Sequence, residues 1–389
     1  MPSSNFRLLL ILIVTTFSLW TSQAQEISLL TVAPGDMVYD TYGHSAIRVH
    51  DQERDMDIVY NYGLYDFDTP GFVMKFMRGK LMYMVGAHQY SDFLYNYNQD
   101  KRSIYEQKLN LNQEEKDALL KALRINMMKE NRYYKYDFFF DNCSTRLRDL
   151  FENAVQGLEE SGELKEMTFR DLIKEHQYGN PWSDFGIDII IGAKADVASS
   201  LDDQMFLPLY LKEILSNAII QRGDEKIKLL GEPYEVLSFP EEAERRMTRS
   251  WITPEVVFLI LALILLAFRY PYRTEKQLPN WIRKVDKSIL FLLGLLGCIV
   301  AFMWWGTDHI PTKSNWNLLW LNPLILLPVF FKATKNTWLK YVIYFLLGLC
   351  LLSLVNVWFQ FLPQQFHVAF GWIILIEIMI LFSLLKWPH

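Results

Sequence analysis

The chain has 389 residues, 51% of them hydrophobic and 15% aromatic, which excludes a disordered, collagenous or small disulfide-stapled protein. Charge divides it in two: residues 251–389 carry 11 Lys/Arg against 5 Asp/Glu, and residues 25–250 carry 27 against 39. The acidic part lacks the clustered cations that nucleic acid requires of a partner, and the cationic part holds long apolar runs.

At the N-terminus, Arg7 precedes the apolar run Leu8–Leu19, and Ser22-Gln23-Ala24 offers small residues for cleavage. That pattern predicts a signal peptide over residues 1–24, cut after Ala24. Residues 25–110 predict strands. Ser45, Ile47 and Val49 alternate with His44, Ala46 and Arg48, and Ile58–Leu64, Leu81–Val85 and Ile104–Leu111 are further runs. Gly35, Gly63, Gly71 and Gly86 punctuate them.

Helices are predicted next. Asn112 with Glu115 has the spacing of a capping box, ahead of a stripe of Leu119, Leu120, Leu123 and Met127. Leu147, Leu150, Phe151, Ala154 and Val155 then mark one buried helical face. Asp141 or Asn142 is its N-cap, and Cys143 opens it on the same inward face. Residues 158–250 are mixed, with a turn at Asn180-Pro181, an apolar run Phe185–Gly192, a helix around Phe206–Ile220 and a charged linker Glu241–Arg249. The expected division is an exported domain over 25–180, its extension and linker over 181–250, and a membrane domain over 251–389.

Five apolar stretches follow Trp251: Pro254–Phe268, Ser288–Trp305, Trp316–Phe331, Trp338–Phe361 and His367–Leu385. They predict five membrane helices. The loop Arg269–Lys287 is rich in Lys and Arg, the next has Lys313 alone, the third has Lys332, Lys335 and Lys340, and the last has none. This alternation places residues 25–250 outside the cytoplasm and the C-terminus inside. Glu377 within the last span is expected to be a helix–helix contact. Without a proton-relay chain or an internal repeat, the helices read as an anchor rather than a pump.

Of three cysteines, only Cys143 belongs to the exported domain, which therefore holds no internal disulfide. A lone thiol in an oxidising compartment is a candidate reactive group. A helix N-terminus lowers a thiol's pKa, and free N–H groups there can hold an oxyanion. His44, opening a strand, is the first candidate for general base and then acid, with His88 and His176 as competitors. The residues alone leave this pair open, because strand histidines and helix-start cysteines more commonly serve structure. His44, His88, His176 and Cys143 lack the spacing of zinc motifs, so no metal or other cofactor is expected.

The run Pro34-Gly35-Asp36-Met37-Val38 followed by Gly43-His44-Ser45-Ala46-Ile47 resembles the strands around the catalytic histidine of NlpC-type papain-like amidases. The order of histidine before cysteine is similar to the circularly permuted branch typified by lecithin:retinol acyltransferase-like proteins. A closer resemblance rests on Gly43–Val49, Tyr60-Asn61-Tyr62-Gly63, Arg78-Gly79-Lys80-Leu81, Asp141–Thr145, Gly192, Asp196 and Phe206-Leu207-Pro208. Together these look like the Lnb N-terminal periplasmic domain, and Asp308-His309 with Asn315–Pro323 looks like that family's five-helix membrane domain. The resemblance implies an α+β permuted papain-like domain on a five-helix anchor, in the inner membrane of a Bacteroides-like bacterium. It implies Cys143 and His44 as catalytic pair, Asn61 as orienting third member with Asp66 in reserve, and Tyr42, Arg48 and Asn142 along the cleft.

Two functions follow. One is a thiol-dependent acyl hydrolase or transferase acting on a lipid, a lipoprotein or a cell-wall peptide. The other is a non-catalytic, chaperone-like factor for a secreted client, which is the role implied by the family's namesake, a lacto-N-biosidase maturation factor.

Overall fold

The computed structural model describes residues 25–387 apart from 38, 163, 276 and 333–335. The expected signal peptide lies outside the described residues. The exported part is built on strands β1 (Glu26–Val32), β2 (His44–Asp51), β3 (Met56–Leu64), β4 (Met82–Gln89), β5 (Ile104–Lys108) and β6 (Tyr133–Lys135). With β10 (Tyr234–Leu237) they form one antiparallel sheet in the order β10-β5-β1-β2-β3-β4-β6. A small second sheet joins β7 (Leu158–Glu159), β8 (Ile219–Arg222) and β9 (Glu225–Lys228).

Both faces of the central strands are covered, so β1 is buried from Ile27 to Val32 rather than alternating, with Ser28 and Thr31 buried among its apolar residues. Ile27, Leu29, Ile47, Val49, Tyr62 and Val85 pack against the inner stripes of helices α3 (Gln113–Met127), α4 (Cys143–Ala154) and α7 (Pro208–Asn217). Leu30, Val32, Ala46 and Val59 pack on the other face against Phe93 of α2 (Tyr90–Gln99). The predicted capping box of α3 is formed: Asn112 Oδ1 accepts from the Glu115 N–H, and Glu115 Oε2 accepts from the Asn112 N–H. Within the region expected to be strands, α2 and the short helix α1 (Phe72–Met77) are helical. Tyr90, Phe93, Leu94 and Tyr97 recur at helical spacing, a period hidden among aromatic-rich strands.

The stretch 181–250 is built into the same body. Helix α7 contributes Leu211, Ile214 and Leu215 to the main core, and β10 extends the sheet beside β5. The expected charged linker is mostly helix α8 (Pro240–Met247), with Pro240 in its first turn, Glu241 and Glu242 following, and Arg245 and Arg246 in its last turn. Both arginines grip Asp36, and Arg246 also donates to the Pro34, Asp100 and Lys101 carbonyls.

The two halves are docked. Helix α5 (Phe169–Gln177) supplies Arg170, fully buried between Asp188 and Asp196 and donating to the Gly192 carbonyl at 3.2 Å. Asp188 belongs to α6 (Pro181–Ile190), which meets the membrane domain: Asn315 Nδ2 donates to the Ile189 carbonyl at 2.8 Å and Asn317 Nδ2 to that of Asp188 at 2.8 Å. Gly192 passes so close to Lys313 that a Cβ would lie 2.1 Å from its carbonyl oxygen, so the crossing demands glycine.

Among the described residues of the membrane domain four helical segments are long and apolar enough to span a bilayer: α9 (Pro254–Arg269) with the turn that continues it to Tyr272, α10 (Asn280–Trp305), α11 (Thr337–Phe359) and α12 (Val368–Lys386). The expected third helix is not formed. Residues 316–330 break into 3₁₀ turns at Trp316–Leu319 and Pro323–Leu326 and one α-turn at Leu327–Phe330. The cause is local. Asn315 and Asn322 side chains accept from the N–H groups two residues on, and Pro323 and Pro328 remove donors that a helix needs. Such backbone is tolerated at membrane depth when protein surrounds it. Here Trp320, Leu321 and Ile325 are fully buried, and Gly297 of α10 lets the Leu321 carbonyl approach. Glu377 of α12 is buried facing Cys350 of α11, as a contact between helices.

Candidate active site

Asn142 ends an extended segment and caps α4. Its Oδ1 accepts from the N–H groups of Ser144 and Thr145, and the Thr145 hydroxyl accepts from its own N–H. The cap takes the second and third helical N–H groups, and the first, that of Cys143, stays outside it. The Asn142 amide donates to the Phe138 and Phe206 carbonyls and is buried, so its role is to fix the helix start rather than to line a cleft.

His44 opens β2 at the same end of the sheet. Between Asn61 and Leu64 the pairing of β3 with β4 shifts register, and Gly63 within this irregularity leaves a Cβ-free space 3.9 Å from the Cys143 Cβ. The imidazole lies beside the Cys143 thiol, close enough for each to shift the other's protonation. Its Nε2 donates to Asn61 Oδ1 at 3.1 Å, which leaves Nδ1 for the sulfur. Asn61 Nδ2 in turn donates to His88 Nδ1 at 3.2 Å, so Cys143, His44, Asn61 and His88 stand in line. His88, a competitor of His44 in the sequence, thus meets the Asn61 amide on the side away from His44.

Burial by itself raises the Cys143 pKa. The His44 charge and hydrogen bond, the Ser45 backbone and the Ser144 hydroxyl outweigh it, and the thiol ends below its ordinary value. Burial works against charge on His44 too. The thiolate's charge, its hydrogen bond and that of Asn61 overcome it, against an opposing Arg102, and the imidazole ends above its ordinary value. Opposite shifts on touching groups favour the thiolate–imidazolium pair. The Ser45 and Ser144 hydroxyls meet at 3.1 Å beneath this pair, a contact that sequence inspection missed although Ser144 follows Cys143 directly.

The other expected residues lie further out. Arg48 is committed to Asp57 at 2.7 Å and Glu106 at 3.0 Å, with its guanidinium 3.6 Å above the Tyr90 ring. Tyr42 packs on Phe138 with ring centroids 4.9 Å apart, and its hydroxyl accepts from Gln177 Nε2. His176 bonds the Leu172 carbonyl within its own helix. Asp66 caps its own turn, accepting from the Asp68 N–H. A cavity of about 800 Å³ between α5, α7 and α8 is lined by none of Cys143, His44 and Asn61.

Asp184, Asp188 and His367 stand close enough together to hold a cation. However, His367 Nδ1 accepts the Ala369 N–H, so Nε2 carries the proton toward Asp184, and Arg170 and Lys174 already balance Asp188. This donor set is an ion-pair network across the joint between the halves.

Residues 18–175 match the family model described as the Lnb N-terminal periplasmic domain, and residues 246–387 match that of the Lnb transmembrane domain. The chain belongs to the Lnb family. As an Lnb protein it joins a periplasmic α+β domain to a membrane domain, and the thiol site lies in the first of the two matched regions. No curated protein and no solved structure matches the chain.

Proposed function

We propose that this Lnb protein is a Cys–His acyl hydrolase or acyltransferase of permuted papain-like type, held at the outer face of the inner membrane with its C-terminus in the cytoplasm. The observation that carries this reading is the line Cys143–His44–Asn61 at the N-terminus of α4. The Cys143 thiolate attacks the carbonyl carbon of an ester or amide, forming a C–S bond and a tetrahedral oxyanion. The Cys143 N–H, outside the Asn142 cap, is placed to hold that oxyanion at the positive end of the helix. His44 gives its proton to the departing alkoxide or amine, and a thioester remains on Cys143. Water, an alcohol or an amine then attacks, His44 takes its proton, and the thiolate leaves. Asn61 fixes the ring so that one nitrogen always faces the sulfur.

The test is direct. The full chain in detergent is exposed to a p-nitrophenyl acyl ester and its intact mass is followed. An acyl adduct on Cys143, released by neutral hydroxylamine and absent in Cys143→Ala, is the expected result. A Cys143→Ala variant that fully complements a deletion strain would overturn the reading in favour of a non-catalytic, chaperone-like maturation factor.

A further inference from the structure

Between β3 and β4 the chain leaves the body of the exported domain. Phe67, Val73, Met74, Phe76 and Met77 are 44 to 71% exposed, and no residue of α1 is buried. Lys75, Arg78 and Lys80 are exposed among them. Five large apolar side chains on one short segment form a contiguous patch that water disfavours.

The place of this patch in the fold names what covers it. Helix α10 ends at Trp305, which is 69% exposed and stacked on Trp304, as in an interfacial aromatic belt. Three residues on, the Asp308 N–H donates to the Arg78 carbonyl at 2.9 Å, and His309 Nε2 bonds the Phe76 carbonyl at 3.1 Å. Lys135 fastens Asp308 from the domain side at 2.9 Å. The apolar segment is thus tied by its backbone to the outer end of a membrane helix, at the level of its terminal tryptophans. Apolar side chains flanked by Lys and Arg at that level match a bilayer surface, with acyl chains below and phosphates above.

A row of rings leads inward from the patch. Phe76 neighbours Phe72 with centroids 6.2 Å apart, Phe72 neighbours Tyr65 at 5.8 Å, Tyr65 neighbours Tyr83 at 5.3 Å, and Tyr83 stacks on Tyr136 at 4.4 Å. Tyr136 and Cys143 pack on the same core, and the thiolate's charge helps hold the Tyr136 hydroxyl protonated. We infer that residues 65–80 form an arm seated in the outer leaflet, and that this aromatic row is the route by which an apolar chain passes from the bilayer to Cys143. The second half rests on the proposed thiol chemistry. The first half does not.

Two measurements separate them. In a full chain carrying Cys143→Ala, Cys298→Ala and Cys350→Ala, Val73→Cys is labelled with bimane and placed in phosphatidylglycerol-containing nanodiscs. Quenching by a lipid-borne nitroxide, but not by iodide in the water, is expected; a Tyr95→Cys control on α2 should show the reverse. Quenching of both positions by iodide overturns the arm, and so does protection from both quenchers, which would assign the patch to another protein or a second copy. With Cys143 retained, alkylation by a long-chain alkyl maleimide is compared with that by iodoacetamide. The double variant Met74→Asp with Phe76→Asp should slow the long-chain reagent about tenfold and leave iodoacetamide unchanged. Equal rates for both reagents, in variant and parent alike, overturn the route while the thiol chemistry stands. A thiol inert to iodoacetamide in the parent overturns the chemistry and, with it, the route, and leaves the arm to the first measurement.

Discussion

Two cysteines of this chain sit in protein interiors beside an ionisable partner, one in each half, and their surroundings differ in kind. Cys143 faces an imidazole that becomes positive when it takes the thiol's proton, backed by Asn61 and a helix N-terminus. Cys350 is fully buried in the contact between α11 and α12, where it meets the acidic side chain of Glu377. The residue type is the same, and the partner decides which thiol can become a nucleophile. On the proposed reading the exported half carries the chemistry, and the membrane half positions it.

The sharpest way to break this contrast is to move the reactivity. Cys143→Ala should abolish acyl adduct formation by intact mass, whereas Cys350→Ala should leave it unchanged. An adduct that persists in the first variant would assign the chemistry elsewhere. His44→Ala should slow acylation by about 10²–10⁴-fold, the usual range for losing a general base, with the circular dichroism spectrum unchanged. Arg170→Met tests the joint between the halves. It strips a fully buried guanidinium from Asp188 and Asp196 and should cost about 3–5 kcal/mol in denaturant unfolding, because it leaves buried charge uncompensated. Asn61→Ala frees the imidazole to turn and should reduce the acylation rate by about tenfold, a loss near the cost of one charged hydrogen bond. An unchanged rate would reduce Asn61 to a packing residue.

Much of the site was legible in the sequence because it depends on local signals. Asn142 before Cys143 and the apolar stripe of α4 announce a helix start, and alternation around His44 announces a strand. That the two meet was not legible, since it depends on the bulge at Gly63 and on packing between residues a hundred positions apart. Arg48 and Asn142 look like cleft residues from their adjacency to His44 and Cys143. Arg48 shares the face of His44 but lies four residues along the strand, about 13 Å away, where it pairs with Asp57 and Glu106, and a capping side chain turns back on its own helix. The third apolar stretch reads as a helix, and its Asn and Pro residues are the overlooked signal that it folds as turns. The apolar residues of 65–80 were hidden for another reason: they fall between the strand runs Ile58–Leu64 and Leu81–Val85, and only the fold ties Phe76 and Arg78 to His309 and Asp308.

The most direct measurement follows iodoacetamide alkylation of the full chain in nanodiscs, with Cys298→Ala and Cys350→Ala leaving Cys143 as the only thiol. The lowered thiol and raised imidazole open a window in which thiolate and imidazolium coexist. Alkylation should therefore stay fast well below the ~8.5 pKa of a free thiol and fall only as acid protonates the thiolate. In His44→Ala the same curve should shift back toward that ordinary value. A slow thiol whose profile is the same with and without His44 would contradict an activated pair and leave the exported domain as a binding shell for a client protein.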